Sequence, residues 1–322
     1  MNHLNETKLN NQGCLMKIVE DNDSSNIVVE FQDEYKYRKH TIYANFKSGS
    51  IRNPYCPSIY GIGITGCKYP TKVNNVSTKE YNAWIDMLKR CFMENIELIK
   101  EQICDVCHKM WQLGWVAAND GNVSVKLPDG NFMATPTGIS KSFITPEKLV
   151  IINAQGEVLE GAPYKPSSEI KMHLRCYKER EDVGAVVHAH PPTATGYAVA
   201  GKSLDEYSMI ETVIAIGSIP LTPYGTPSTD EVPDAIAPYL PEHDVMLLQN
   251  HGALAVGCDL ITAYYRMETL ELFAKISLTA HLLGGAQEIS RPKIDKLLYL
   301  RENYYGVTGK HPGYKHYNKD DE

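Results

Sequence analysis

The 322-residue chain has no apolar run of the about eighteen residues needed to cross a bilayer. Its first residues, Met1-Asn-His-Leu-Asn-Glu-Thr-Lys8, lack the apolar core of a secretory signal. Together these absences predict a cytoplasmic protein with no membrane role. The eight cysteines (Cys14, Cys56, Cys67, Cys91, Cys104, Cys107, Cys176 and Cys258) show no framework of paired spacings, which excludes a disulfide-stapled scaffold. Cys104 and Cys107 have CxxC spacing but no partner pair. They lie in an amphipathic helical pattern and read as core packing rather than a redox or metal site. No GxGxxG follows a first strand and no GxxxxGK[ST] occurs, so any phosphate is bound without a nucleotide fold. No period of roughly 20–50 residues recurs, which excludes a solenoid.

What is present describes an ordinary globular protein. Hydrophobic residues make up 43% and charged residues 22%, and the length suits two domains better than one. Charge shifts along the chain. Residues 1–92 hold 12 Lys/Arg against 9 Asp/Glu, about +3, and the remainder holds 20 against 30, about −10. The first part has short alternating stretches, Ile27–Phe31 and His40–Tyr43, that predict strands. Asn53-Pro54, Cys56-Pro57, Gly61-Ile-Gly63 and Gly66 mark turns. Tyr81, Trp84, Ile85 and Leu88 have helical period over Thr78–Phe92.

From Met93 a new pattern of alternating helices and strands begins. Ile99, Ile103, Val106, Met110 and Leu113 line one face of a helix over Glu97–Leu113, ended by Gly114. Strands are predicted at Asn122–Lys126, Phe132–Thr135, Leu149–Ile152, Val183–His188, Ile210–Ala215 and Val245–Leu248. A helix opens at Pro166-Ser-Ser-Glu169 and runs through Tyr177, and Asp259–Leu283 is the longest helical run. Short strands with flanking helices predict an α/β sandwich.

The chemistry concentrates in histidines. His188 and His190 close the apolar run Val183-Gly-Ala-Val-Val187, before Pro191-Pro192. Residues two apart in a strand share a face, so two imidazoles leave one strand end side by side. His251 sits in a second apolar run, Leu247-Leu-Gln-Asn-His-Gly-Ala-Leu254. Three convergent neutral imidazoles with an open position form the usual ligand set of a catalytic zinc; the competing reading is three surface or capping histidines. Asp120-Gly-Asn-Val-Ser124, Thr135-Pro-Thr-Gly138 and Ser167-Ser168 offer N–H and hydroxyl groups of the kind an anion nest needs, although each alone also reads as a turn or helix cap. Glu169, after the serines, is either a proton-moving carboxylate or a first-turn glutamate favoured by the helix dipole.

Two resemblances add to this. Residues 1–92 resemble a small module at the start of many phage-associated proteins of Gram-positive bacteria, carried by Met16–Glu20, Ile27–Phe31, Phe46-Lys-Ser-Gly49, Ile51-Arg-Asn-Pro-Tyr55 and Trp84–Cys91. The DNA-binding or nuclease region that usually follows is missing, so this part reads as a fusion or a remnant. Nucleic acid is conceivable as a partner only there, and a charge of about +3 more simply reads as a solvated basic face.

Residues 93 to about 308 resemble the class II aldolase and adducin-head family of the fuculose-phosphate aldolase kind. The match runs through Gly121-Asn-Val-Ser124, Thr135-Pro-Thr-Gly138, Pro166-Ser-Ser-Glu169, Val187-His-Ala-His190, Pro223-Tyr-Gly-Thr226 and Gln249-Asn-His-Gly252. The resemblance implies a three-layer α/β sandwich with a mainly antiparallel central sheet. It implies one Zn²⁺ held by His188, His190 and His251, a substrate phosphate held by Asn122, Thr137, Gly138, Ser167 and Ser168, and a further polar contact from Asn119. It makes Glu169 the catalytic carboxylate and Tyr305 a residue that reaches a neighbouring subunit's site in a homotetramer. The activity implied is cleavage of a phosphorylated ketose, of the L-fuculose 1-phosphate kind, to dihydroxyacetone phosphate and an aldehyde. Adducin heads lack the zinc ligands. Residues 309–322 read as a flexible tail.

Within this family the tyrosine that protonates an intermediate and helps choose the aldehyde aligns with Met209, with Tyr207 two residues away. This departure argues against L-lactaldehyde as the aldehyde. Related pentulose-phosphate 4-epimerases usually carry Asp where this chain has Glu169. Methylthioribulose-phosphate dehydratases share three histidines and a glutamate.

Overall fold

The computed structural model describes residues 3–54, 56, 72–73, 76–77 and 79–314. The turn signals at Pro57, Gly61, Gly63 and Gly66, and residues 315–322 of the expected tail, lie outside them. The chain divides into two compact units, Met1–Glu94 and Asn95–Glu322.

The first unit carries an antiparallel sheet of β1 (Thr7–Leu9), β2 (Leu15–Asp23), β3 (Asn26–Phe31) and β4 (Arg38–Thr41), followed by the short helix α1 (Tyr43–Ser48). Alternation builds its core: Met16 and Ile18 of β2 and Ile27, Val29 and Phe31 of β3 point to one face, where Phe46 and Ile51 cover them. A two-stranded ladder, β5 (Lys72–Val73) with β6 (Val76–Ser77), follows.

Helix α2 runs unbroken over Lys79–Gln112 and is the longest helix among the described residues. The sequence pattern predicts two helices parted near Met93, but no Gly or Pro interrupts this stretch, so nothing breaks the hydrogen-bond ladder. Its C-terminal half buries Ile103, Cys104, Val106, Cys107 and Met110. Cys104 and Cys107 are free thiols in the core, and burial pushes Cys107 up to about 12. Leu113, expected on the same face, lies just past the end of the helix and is exposed.

The second unit is built on an eight-stranded sheet. Its elements in chain order are β7 (Asn122–Lys126), β8 (Phe132–Ala134), β9 (Val150–Ile152), β10 (Val158–Glu160), α3 (Ile170–Glu179), β11 (Ala185–Ala189), α4 (Pro192–Val199), α5 (Ile210–Ala215), β12 (Leu221–Thr222), α6 (Glu231–Ile236), β13 (Val245–Leu248), β14 (Gly252–Gly257), α7 (Leu260–Leu282) and α8 (Arg291–Leu300). The strand order is β10-β9-β8-β7-β11-β14-β13-β12, antiparallel except for the parallel pair β12 and β13. One face of the sheet buries Val186, Leu254, Val256 and Met246 against Met172, Cys176 and Tyr177 of α3 and Val232 and Ile236 of α6. Residues of opposite parity, among them Ala185, Val187, Ala253 and Ala255, face α4 and α7. The expected three-layer sandwich is therefore the observed one.

Ile210–Ala215, read from sequence as a strand, is helix α5. Its β-branched run buries Val213 against Ile294 of α8 instead of joining the sheet, so packing overrides local propensity. Residues Gly309–Tyr314, expected to begin a flexible tail, lie against the domain. Arg301 donates to the carbonyls of Thr308, Gly309 and Lys310, and the Tyr207 hydroxyl donates to that of Gly313.

Beneath this segment Asp244, fully buried, is paired with Arg180 at 2.6 Å and Arg266 at 2.8 Å. Asp244→Ala leaves two buried guanidiniums without that partner, and a loss of about 3 kcal/mol or more is expected, read as a lower denaturation midpoint in urea.

Candidate metal and anion site

The three histidines meet at one end of the sheet. His188 lies inside β11, opposite Asn122 of β7 on one side and Leu254 of β14 on the other. His190 is one residue past the end of β11, its N–H held by the Trp115 carbonyl at 2.9 Å. His251 occupies the tight turn from β13 to β14, where Asn250 has φ of 56°. Gly252 makes the turn fit under His190: a Cβ there would lie 2.4 Å from the His190 ring. After Pro191, the chain enters α4, whose first N–H groups, on Thr193 and Ala194, donate to the buried Glu271 carboxylate at 2.9–3.2 Å.

The ring centroids of the three histidines are 4.7–5.3 Å apart, and one ligand atom from each lies within 4.8 Å of the others. The Ala253 carbonyl accepts a hydrogen bond from His188 Nδ1 at 2.9 Å. Nδ1 therefore carries the proton and Nε2 presents a lone pair. That Nε2 stands 3.3 Å from His190 Nε2 and 3.3 Å from Glu169 Oε2. His251 Nε2 is 3.0 Å from Glu169 Oε1, which is buried yet makes no hydrogen bond. Lone pairs and a carboxylate thus converge on one point. Without a proton or a cation between them the arrangement is repulsive, and the donor set fits a divalent metal.

The titration behaviour reflects the same crowding. Burial favours the neutral form of Glu169, but the charge on His188 and contacts with His188 and His251 outweigh it and hold the carboxyl well below its usual range. Burial likewise opposes charge on His188, and Glu169 raises it nonetheless. His190 is pushed down to about 4 by burial and by the neighbouring imidazoles. Asp120 stands 3.6 Å from His190 Nδ1.

Beside this cluster two loops run antiparallel. Thr137 N–H donates to the Lys165 carbonyl at 2.9 Å and Ser167 N–H to the Thr135 carbonyl at 3.2 Å. This pairs Thr137 with Lys165 and Ser167 with Thr135, on either side of a bridge between Pro136 and Pro166. The Gly138 and Ser168 N–H groups have no acceptor among the described residues, and Thr137, Gly138 and Ser168 are at least partly open to solvent. Asn122 Nδ2 donates to Ser167 Oγ at 3.1 Å and to Glu169 Oε2 at 2.9 Å, linking the loops to the histidines. Asn119 is exposed, its carbonyl 3.4 Å from Nζ of the buried Lys141.

Not every expected residue comes to this place. Tyr305 is 54% exposed and packs edge-on against Tyr304, with no hydrogen bond or ring contact to the histidines within the chain. Tyr207 is buried against His311 and Tyr314 and does not stand in for the tyrosine replaced by Met209. Sequence reasoning misses His173, Ser124 and Tyr177, which form a buried polar chain behind Asn122. A signal is available: Glu169, His173 and Tyr177 are spaced four apart, the interval that stacks side chains along one helix face.

The family described as Class II Aldolase and Adducin N-terminal domain matches residues 101–278, and the chain belongs to it. Among curated relatives, L-fuculose phosphate aldolase of Escherichia coli (strain K12) is 35% identical over 187 residues, 58% of this chain and 85% of that protein. The 3-oxo-tetronate 4-phosphate decarboxylase of the same strain is 33% identical over 183 residues, 55% of this chain and 85% of that protein. Among solved structures, an L-fuculose 1-phosphate aldolase superposes with a TM-score of 0.60 at 28% identity, covering 63% of this chain and 96% of its own. The corresponding enzyme of Thermus thermophilus has a TM-score of 0.52 at 30% identity, covering 60% and 98%. The chain is an enzyme of the class II aldolase type, a lyase. Among the described residues no helix is long and apolar enough to cross a membrane.

Proposed function

We propose that this protein is a zinc-dependent lyase that releases dihydroxyacetone phosphate from a phosphorylated ketose by cleaving the C3–C4 bond. The observation that carries this reading is the convergence of His188, His190, His251 and Glu169, joined through Asn122 to Ser167. His188, His190 and His251 would hold the metal, which supplies polarisation of the substrate's carbonyl and hydroxyl oxygens. Gly138 and Ser168 N–H, with the Thr137, Ser167 and Ser168 hydroxyls, hold the phosphate and so orient the reacting end, and Asn122, whose amide hydrogens go to Ser167 and Glu169, serves the phosphate through Ser167. Asn119 would add a further polar contact. Glu169 moves the proton. In cleavage the C4 hydroxyl gives its proton to Glu169 as the C3–C4 electron pair stays on C3 and C4 leaves as the aldehyde; Glu169 then passes that proton to C3.

A second reading has an observation of its own, the similarity to a 3-oxo-tetronate 4-phosphate decarboxylase. Loss of CO₂ from such a substrate leaves the electron pair on the carbon beside the ketone, and one proton there yields dihydroxyacetone phosphate again. The site would do the same work in either case. A coupled assay for dihydroxyacetone phosphate over a panel of ketose 1-phosphates and 3-oxo acid phosphates tests both, and the co-product, aldehyde or CO₂, separates them. Rearrangement with the carbon chain conserved would point instead to a pentulose-phosphate 4-epimerase. Loss of water alone would point to a methylthioribulose-phosphate dehydratase.

The reading extends to assembly and location. A cytoplasmic homotetramer in which Tyr305 serves a neighbouring copy's site is consistent with its exposure and its lack of contact with the histidines of its own chain, and native mass measurement tests it. Residues 1–92 are an appendage to the catalytic unit, since each unit has a core of its own. A chain beginning near Asn95 is expected to remain folded and metal-binding, with kcat/KM within about tenfold of the full protein. Aggregation of the shortened chain, or a larger loss, would show that the units depend on each other.

A further inference from the structure

The Asn122 side chain sits between two polar neighbourhoods with opposite needs. On the site side, Glu169 Oε2 lies 2.9 Å away and can only accept. On the core side, His173 Nε2 lies 2.5 Å away. The two ends of an asparagine amide are nearly the same size, so sterics do not choose between its two orientations. Hydrogen bonding does.

We propose that His173 is a positioning residue that locks the Asn122 amide with its NH₂ group toward Glu169 and Ser167. The inference rests on the reading of Glu169 as the proton-moving group. The logic runs through hydrogens. The Glu169 carboxylate needs a donor, so Asn122 Nδ2 faces it and Oδ1 faces the core. Oδ1 then needs a donor, so His173 carries its proton on Nε2. His173 Nδ1 must in turn accept, and it does so from Ser124 Oγ at 2.7 Å. Ser124 Oγ has given up its hydrogen and accepts from the Tyr177 hydroxyl at 2.8 Å. Every donor points the same way, from Tyr177 through Ser124, His173 and Asn122 to Glu169. Burial pushes the His173 ring down to about 3, so the ring stays neutral and one nitrogen remains an acceptor. Burial raises the Tyr177 hydroxyl, which keeps the hydrogen that starts the chain.

The scaffold suits the task. Glu169 caps α3, while His173 and Tyr177 stand on its next two turns. Asn122 and Ser124 lie on β7 directly opposite His188 and Val186 of β11. One helix thus carries both ends and the centre of the relay, and one strand carries the two links between them. A reversed amide would set a carbonyl oxygen against Glu169 and remove the donor that links Ser167 to it.

The test compares His173→Leu with His173→Gln in the full chain loaded with zinc. Leucine offers no donor to Asn122, whereas the glutamine amide does. In His173→Leu, kcat is expected to fall ~10–100-fold, with KM and zinc content changed by less than about threefold. His173→Gln is expected to recover most of kcat. Equal loss in both variants while both remain folded, or a change in KM alone, would overturn the proposal. A second measurement is independent of any reaction. In the metal-free full chain labelled with ¹⁵N-histidine, the His173 ring is expected as the neutral Nε2–H tautomer. Finding the proton on Nδ1 sinks the lock whatever the substrate is. If no substrate in the panel reacts, the lyase reading fails while the tautomer still decides this one.

Discussion

Glu169→Gln is expected to keep its metal and to lose at least about 10²–10⁴-fold in turnover. The substitution preserves shape and removes the one carboxylate that touches both the histidine cluster and the Asn122 amide. The acceptor facing Asn122 Nδ2 remains available in the glutamine side-chain carbonyl, so the Ser167 and Asn122 arrangement should survive. The metal is retained because three imidazoles still converge. Elemental analysis beside steady-state kinetics checks both halves. Turnover near that of the unaltered protein would mean that another group moves the proton. Loss of the metal would mean that Glu169 acts chiefly as a ligand.

His190→Ala is expected to lose most of its bound metal, to below about a tenth of an equivalent after dialysis, because two imidazoles hold zinc poorly at an open site. His190 is also the ligand whose removal disturbs the fold least. It lies past the end of β11, and its side chain is held by no strand partner, whereas His188 is fully buried in the sheet and bonded to Ala253. Activity should fall with the metal, and an unchanged far-ultraviolet circular dichroism spectrum would show that the fold persists. An unaltered metal content in this variant would remove His190 from the ligand set.

The elements that the sequence announces best are those whose periodicity and punctuation agree. β11 and β13 are largely apolar runs and β7 an alternating one, each bounded by turn residues, and α3 (Ile170–Glu179) has Glu169 at its N-cap, just after the Ser167-Ser168 pair. Where the two signals part, packing decides. The run Ile210–Ala215 has the β-branched composition of a strand but lies against α8, away from the sheet. Continuity of α2 through Met93 is hidden for the opposite reason: composition changes there while structure does not, because no helix-breaking residue stands in the way.

For the site, local chemistry is legible and distance is not. The alternation of His188 and His190, the glycine after His251 and the small-polar loops follow from residue types that few other roles require together. That these pieces meet follows only from the sheet order. β11 lies between β7 and β14, which sets His188 beside Asn122 on one side and brings the turn that carries His251 close on the other. The same tertiary arrangement holds Gly309–Tyr314 against the domain through Arg301 and Tyr207, where polar composition alone predicts a free end.

By itself the sequence determined the class of fold and singled out the three histidines and Glu169 as candidates, because hydrophobic period and donor chemistry are local properties, and family resemblance joined them into one site. Only the tertiary structure decided that His173, Ser124 and Tyr177 stand behind Asn122, that Tyr207 packs among residues other than the three histidines, and that two loops some thirty residues apart pair with each other. Those are statements about which distant backbone segments are neighbours. They are set by strand pairing and by burial, where an unpaired polar group costs too much to leave unmatched.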